Sequence, residues 1–310
     1  MRRRLLLLTA PWLATPAALA QPALYIPLIS KGFQHQFWQA VKAGAEQAAR
    51  EYKVRITFEG PESEAMVDKQ IDMLAAALAK KPQALAIAAL DSKAAIPLLR
   101  RAQAARIPVI AFDSGVDSDI PLTTAATDNR AAAALAADKL AALTGGEGDV
   151  AVVGHDQTSR TGIERVEGFV QRLKAAHPKV RVVAVQYGSG DHLKSTEVAK
   201  SLLQGHPRLR ALFGTNEGSA IGVVNAVREM KRSGVTVVGF DAGKQQKDAI
   251  ASGAMAGAIT QNPVGIGYRT VEAAVKALHG EALPRTLDTG YYWYDKTNLH
   301  DSKIAAVLYD

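Results

Sequence analysis

The sequence predicts an α/β protein made of two similar doubly wound parallel-sheet lobes joined by a hinge. Three observations carry that prediction. From Leu24 onward, short apolar runs alternate with stretches of helical length. One strand ending occurs twice, as Val109-Ile110-Ala111-Phe112-Asp113-Ser114-Gly115 and as Val237-Val238-Gly239-Phe240-Asp241-Ala242-Gly243. The chain has 310 residues, enough for about two domains. Apolar runs without polar alternation suggest strands buried on both faces, as in parallel sheets. Each Asp then lies just past a strand's carboxyl end, where open α/β sheets place their ligand crevice. The matched pair suggests two lobes that each offer one carboxylate to a shared cleft. Taken singly, each Asp could instead cap the next helix or turn.

Each element follows from its local pattern. Leu24–Ile29 reads as the first strand and Gln34–Tyr52 as a helix, with Phe37, Val41, Ala45 and Ala48 or Ala49 along one stripe. Val54–Phe58 is a strand, and Ser63–Lys80 a helix facing inward through Met66, Ile71, Leu74 and Leu78. Ala84–Ala88, Ser92–Ala105 and Val109–Phe112 continue as strand, helix and strand. Asp117–Thr127 holds Pro121, three Thr and the turn pair Ser118-Asp119, and is expected to cross between lobes. Asp128-Asn129 can cap an Ala-rich helix that runs to Leu143. The loop Thr144–Asp149 is glycine-rich, but it precedes a strand and lacks a Gly-Lys-Ser/Thr ending, so it is no phosphate cradle.

The alternation then restarts. Strands are expected at Val150–Val153, Val180–Gln186, Ala211–Gly214, Val235–Phe240 and Gly257–Thr260. Helices are expected at Ser159–Ala176, His192–Leu203, Ser219–Lys231 and Gln245–Ser252. Pro263–Leu278 reads as a long helix that returns to the first lobe, and Tyr291–Tyr294 as a final strand-like piece. The resulting division is residues 21–127 plus 262–290 for the N-terminal lobe and residues 128–261 plus 291–310 for the C-terminal lobe, after a leader of residues 1–20.

The leader has a basic start at Arg2-Arg3-Arg4, an apolar run from Leu5 to Ala14, and a small-x-small site at Ala18-Leu19-Ala20 before Gln21. That order is a cleavable signal peptide, and its apolar run is too short to span a bilayer. Export to the periplasm is expected. The chain has no Cys, which excludes disulfides and thiolate metal sites. The net charge of +7 includes the three leader arginines, and no long basic run occurs elsewhere. This argues against a nucleic-acid partner. The reading calls for no cofactor and no metal.

Several segments together carry a resemblance. They are His35-Gln36-Phe37-Trp38, Phe112-Asp113, Thr127-Asp128-Asn129, Glu164-Arg165-Val166-Glu167-Gly168-Phe169, Thr215-Asn216-Glu217, Val238-Gly239-Phe240-Asp241 and Thr260-Gln261-Asn262-Pro263. In this order, behind a signal peptide, they resemble the periplasmic sugar-binding proteins of bacterial ABC importers. The branch is that of the ribose-binding proteins, which share the fold of the lac-repressor core. The resemblance covers essentially the whole mature chain. It implies ligand contacts at Phe37, Trp38, Asp113, Arg165, Asn216, Asp241 and Gln261, and a polar contact at His35; Ser114, directly after Asp113, is a further ligand-binding candidate. The residue types suit a sugar, whose edge bears vicinal hydroxyls and whose faces are apolar. Carboxylates accept from two hydroxyls, Arg offers a donor fork, and Asn and Gln donate and accept. Each has a blander alternative: Phe37 in a helix core, Arg165 paired with Glu164 or Glu167 on a surface, Asn216 as a helix cap. His155-Asp156 and Tyr291-Tyr292 could also reach the cleft.

The implied function is the substrate-binding protein of a sugar importer, a monomer that takes a monosaccharide or polyol between its lobes and delivers it to a membrane permease. A periplasmic carrier that presents the sugar to a sensor is an alternative. A carbohydrate-active enzyme is another, but Arg165 and amide donors are expected to keep both carboxylates ionised, without the acid that glycoside hydrolysis needs. A regulator of the same fold would need an N-terminal DNA-binding helix pair where this chain has its leader. Two departures from the ribose-binding pattern bear on the ligand. That pattern has Arg where this chain has Ser114, and an aromatic residue where a gap-free alignment puts Gly190. Both remove bulk, so a larger sugar, a differently hydroxylated one or a polyol is expected to bind better than ribose.

Overall fold

The structure is a computed structural model that describes residues 24–309. The leader therefore lies outside the described residues. Two six-stranded sheets organise the chain. The first contains β1 (Tyr25–Ile29), β2 (Arg55–Glu59), β3 (Leu85–Ile87), β4 (Val109–Phe112), β5 (Thr123–Ala126) and β11 (Thr286–Asp288). The second contains β6 (Gly148–Gly154), β7 (Val180–Tyr187), β8 (Leu209–Gly214), β9 (Thr236–Phe240), β10 (Gly257–Gln261) and β12 (Tyr291–Tyr294). The helices between them are α1 (Gln36–Glu51), α2 (Val67–Ala79), α3 (Ile96–Ala104), α4 (Asn129–Leu143) and α5 (Arg160–Ala176). They continue as α6 (His192–Gly205), α7 (Glu217–Glu229), α8 (Lys244–Ser252), α9 (Pro263–Leu278) and the short α10 (Ser302–Ala305).

Both sheets have one topology. The order β2-β1-β3-β4-β5-β11 in the first repeats as β7-β6-β8-β9-β10-β12 in the second. In each, the strand order reverses beside the first strand of the lobe, which opens a crevice at the strands' carboxyl ends. The strands bury both faces: every residue of β1, β3, β4 and β10 is buried. This explains the unbroken apolar runs of β3 and β4. The chain passes between sheets three times, at β5 to α4, β10 to α9 and β11 to β12. α9 returns to the first lobe by packing on α1. Gly44 and Gly267 allow this, because a Cβ on Gly44 would strike the Val264 carbonyl and one on Gly267 the Val41 carbonyl.

The structure departs from the sequence reading in several elements. Residues 117–127 do not simply cross between lobes, because Thr123–Ala126 forms β5, paired between β4 and β11. Its Thr-Thr-Ala-Ala composition hides an interior strand that its neighbours, not its own hydrophobicity, stabilise. The edge strand β11 and the helix α10 are further elements absent from that reading. The final strand β12 pairs antiparallel to β10, so the second sheet is not wholly parallel.

Candidate functional site

The carboxyl ends of the two sheets face each other, and the loops beyond them line a narrow cavity of about 20 Å³. From the first lobe come Lys31 after β1, His35, Phe37 and Trp38 at the start of α1, Glu64 before α2, and Asp113 after β4. From the second come His155 after β6, Thr161 and Arg165 on α5, Asn216 before α7, Asp241 after β9, and Gln261 at the end of β10. All of these are buried. A wider, open hollow adjoins the cavity at Asp113, beside the crossovers between sheets. Its rim charges pair with one another, Arg160 with Asp117 at 3.2 Å and Arg285 with Asp119, whereas the smaller cavity gathers buried polar groups from both lobes and leaves Gln261 Oε1 uncommitted, which makes it the better ligand site.

Eight of the expected residues thus come together: His35, Phe37, Trp38, Asp113, Arg165, Asn216, Asp241 and Gln261. Ser114 does not join them. Asp113 takes a left-handed backbone at φ +54, and after that turn the Ser114 carbonyl accepts from Ala89 N–H at 2.9 Å inside the first lobe. Ser114 is fully buried and outside the cavity lining. Lys31, Glu64 and Thr161 were missed, although Lys31 and Glu64 follow the carboxyl ends of β1 and β2, the position that singled out the two Asp residues. His155 reaches the cavity and Tyr292 is exposed.

The polar groups are positioned by bonds that leave others uncommitted. Arg165 donates from Nε to Asn129 Oδ1 at 2.8 Å and from Nη1 to the Thr215 carbonyl at 2.9 Å, and its guanidinium stacks 3.9 Å from the Phe240 ring centre. Its neighbours Glu164 and Glu167 pair instead with Arg160 and Arg130. Asp241 Oδ1 accepts from Gln261 Nε2 at 2.7 Å and Oδ2 from Glu217 N–H at 2.9 Å. Asn216 caps α7, accepting from Ser219 N–H at 2.9 Å, and so fills the capping role and lines the cavity at once. Trp38 Nε1 donates to Glu64 Oε1 at 2.8 Å, while its ring meets Phe37 edge-on at 5.0 Å. Among the described residues, the Gln261 Oε1 acceptor has no partner.

Lys31 bridges the lobes. Its Nζ lies 3.2 Å from Thr161 Oγ1, 3.3 Å from Ser159 Oγ and 3.4 Å from Asp156 Oδ2, with Glu64 Oε2 at 3.7 Å. Burial alone would lower the Lys31 pKa, but the carboxylates of Glu64, Asp156 and Asp113 outweigh it and the pKa is raised. Burial pushes Glu64 up; the charge of Lys31 and the hydrogen bond from Trp38 are among the groups that outweigh it and hold Glu64 below its usual range. Burial keeps His155 neutral by lowering its pKa. At Asp113 burial prevails over the attraction of Lys31 and Arg165, and the pKa rises to about 7. The expectation that Arg165 keeps both carboxylates ionised therefore fails for Asp113, because desolvation is the larger effect there.

The space beside Gly190 is also occupied. A Cβ on Gly190 would lie 3.1 Å from Asn216 Nδ2 and 3.2 Å from Glu64 Oε2. Gly190 thus has Glu64, from the opposite lobe, and Asn216 as close neighbours.

Comparison with known proteins supplies the family. The model of the periplasmic binding protein domain matches residues 26–282. The ribose import binding protein of Escherichia coli strain K12 is 30% identical over 268 residues, covering 86% of this chain and 89% of that protein. A D-ribose/D-allose-binding protein of Pseudomonas aeruginosa is 29% identical, covering 83% and 82%. Among solved structures, an ABC transporter solute-binding protein of Agrobacterium vitis bound with α-D-tagatopyranose superposes with a TM-score of 0.89 at 31% identity, covering 93% of this chain and 99% of that one. A carbohydrate transporter solute-binding protein of Agrobacterium radiobacter in complex with D-arabinose gives 0.89 at 32% identity, covering 94% and 100%. With two lobes of repeated topology, a buried cleft between them and a family model matched over most of its length, the chain belongs to the periplasmic binding protein domain family.

Proposed function

We propose that this protein is the substrate-binding component of an ABC-type sugar importer, which encloses one monosaccharide or polyol between its lobes and delivers it to a membrane permease. One observation carries the reading: a buried cavity lined from both lobes by Asp113, Arg165, Asn216, Asp241 and Gln261, beside the rings of Phe37 and Trp38. The Asp113 carboxylate and Gln261 Oε1 offer acceptors to hydroxyl donors, and Arg165 and Asn216 offer donors in return. Three carboxyl groups, of Glu64, Asp113 and Asp241, face the cavity, and Lys31 is engaged with the second lobe. This balance favours an uncharged polyhydroxylated ligand over a sugar acid.

The relatives named above are binding proteins of sugar transporters, which argues against the enzymatic alternative. The protein is proposed to act as a monomer in the periplasm after loss of residues 1–20, with no nucleic-acid partner. Among the described residues, no helix is long and apolar enough to cross a membrane. The lobes are taken as residues 21–127 plus 262–290 and residues 128–261 plus 291–310. Thermal-shift screening against D-ribose, D-allose, D-arabinose, D-tagatose, hexoses and polyols tests the reading. A cognate ligand raises the melting temperature by mass action and is recovered unchanged. No shift with any sugar or polyol, or chemical turnover of the ligand, would overturn it.

A further inference from the structure

Two helices that face the cleft lack a cap of their own. Six helices, α4, α5, α6, α7, α9 and α10, are capped by the side chain of their own N-cap residue. The N-cap residues of α1 and α8, His35 and Gly243, supply no such bond. In both cases the acceptor comes from the other lobe. Glu217, the first residue of α7, reaches across the cleft and accepts from the N–H groups of Gln36 and Phe37, each at 3.3 Å. Gln36, the first residue of α1, reaches back and its Oε1 accepts from Lys244 N–H at 2.7 Å, at the start of α8. The two side chains meet over Gly243, where a Cβ would lie 2.8 Å from Glu217 Oε1 and 2.9 Å from Gln36 Oε1. Glu217 is buried but does not line the cavity.

From this geometry we infer that Glu217 and Gln36 are positioning residues for ligand binding: each caps a helix of the opposite lobe only when the lobes are closed, so that closure is held by a reciprocal helix cap that touches no ligand. The physical basis is the set of amide N–H groups that every helix leaves unpaired at its N-terminus. A carboxylate there is favoured both as an acceptor and by the helix dipole. Opening the lobes removes both caps together. Glu217 also links the ligand groups of the two lobes. Its backbone N–H donates to Asp241 Oδ2 at 2.9 Å, and its side chain holds the turn that carries Phe37 and Trp38. A ligand that orders Asp241 thereby orders the residue that grips α1. The coupling to affinity rests on the sugar-binding reading, whereas the capping geometry does not.

The test separates the two. Ser92 N–H donates to the Thr158 carbonyl across the lobes at 2.9 Å, and the chain has no Cys, so Ser92→Cys with Thr158→Cys introduces a cysteine pair whose oxidation, checked by loss of free thiols, holds the lobes together without any sugar. In that closed chain, hydrogen exchange is read at the amides of Gln36, Phe37 and Lys244. Glu217→Ala is expected to speed exchange at Gln36 and Phe37 about tenfold, in the lobe opposite the substitution. Gln36→Ala should do the same at Lys244, and Glu217→Gln, which keeps one acceptor oxygen, should fall between. In the chain without the disulfide, D-arabinose or D-tagatose should dissociate about tenfold faster from Glu217→Ala, with a much smaller change in association rate. Unchanged exchange across the cleft overturns the reciprocal cap, and faster exchange with an unchanged dissociation rate overturns its coupling to binding. Should Glu217→Ala fail to fold, Gln36→Ala carries both measurements. If neither those sugars nor any other in the panel binds the unaltered protein, the sugar-binding reading fails, while the exchange data still decide the cap.

Discussion

Asp113 and Asp241 occupy corresponding places in the two lobes, one residue past the fourth strand of each, and share a left-handed backbone at φ +54 and +78. Non-glycine residues rarely adopt this conformation, and Asp is among the few that tolerate it. It turns each carboxylate to the cavity's edge. Their surroundings then diverge. Asp241 is bonded to Gln261 Nε2 and Glu217 N–H, while burial raises the Asp113 pKa to about 7.

Ligand binding should therefore tighten as pH rises toward neutrality. A hydroxyl-bearing ligand favours the ionised Asp113, so its pKa falls on binding and a proton is released. Affinity should rise between about pH 5 and pH 7 and level off above. Calorimetry in buffers of different ionisation enthalpy detects the proton. Asp113→Asn should flatten the profile, and an unchanged profile would remove Asp113 as its source.

Stability without ligand should run the other way. Because the folded pKa of Asp113 lies above its ordinary 3.8, the folded state binds more protons between those values, and this group's contribution falls as pH rises from about 4 to 7. Asp113→Asn should thus gain stability relative to the parent at pH 8, by roughly 1–3 kcal/mol, and less at pH 4. Denaturant melts at the two pH values decide it.

Asp241→Ala should weaken binding about 100-fold. It removes a ligand acceptor and leaves Gln261 Nε2 and Glu217 N–H without their partner in a buried site. Unchanged affinity in calorimetry would place the ligand elsewhere.

Gly190→Phe should not restore a ribose-like site. Its Cβ would already press on Asn216 Nδ2 at 3.1 Å and Glu64 Oε2 at 3.2 Å, on a backbone at φ +67 that side chains rarely adopt. Affinity for every sugar in a panel is expected to fall. Monosaccharides and polyols are expected to bind more tightly than disaccharides. A panel in which disaccharides bind more tightly than monosaccharides would contradict this.

Trp38 should report ligand binding by fluorescence. Its indole is tied to Glu64 at the cavity, whereas Trp293 donates to Asp295 away from it. Trp38→Phe should abolish the ligand-dependent change, and a surviving signal would point to Trp293.

The sequence alone determined the α/β class, the two lobes of repeated topology and most of the cavity. Those features are encoded locally: buried parallel strands need unbroken apolar runs, and carboxylates at matching strand ends mark a crevice. Pro263–Leu278 and Tyr291–Tyr294 were legible to the residue for the same reason. Tertiary structure decided what depends on two distant segments meeting. Thr123–Ala126 becomes a strand because β4 and β11 flank it. Lys31 and Glu64 enter the site because the lobes close on them, and their partners lie far away in sequence or on the opposite lobe. Ser114 leaves it because a single left-handed turn at Asp113 sends it inward. The protonation of Asp113 was decided there too, since desolvation depends on everything packed around a group, and no local pattern records that sum.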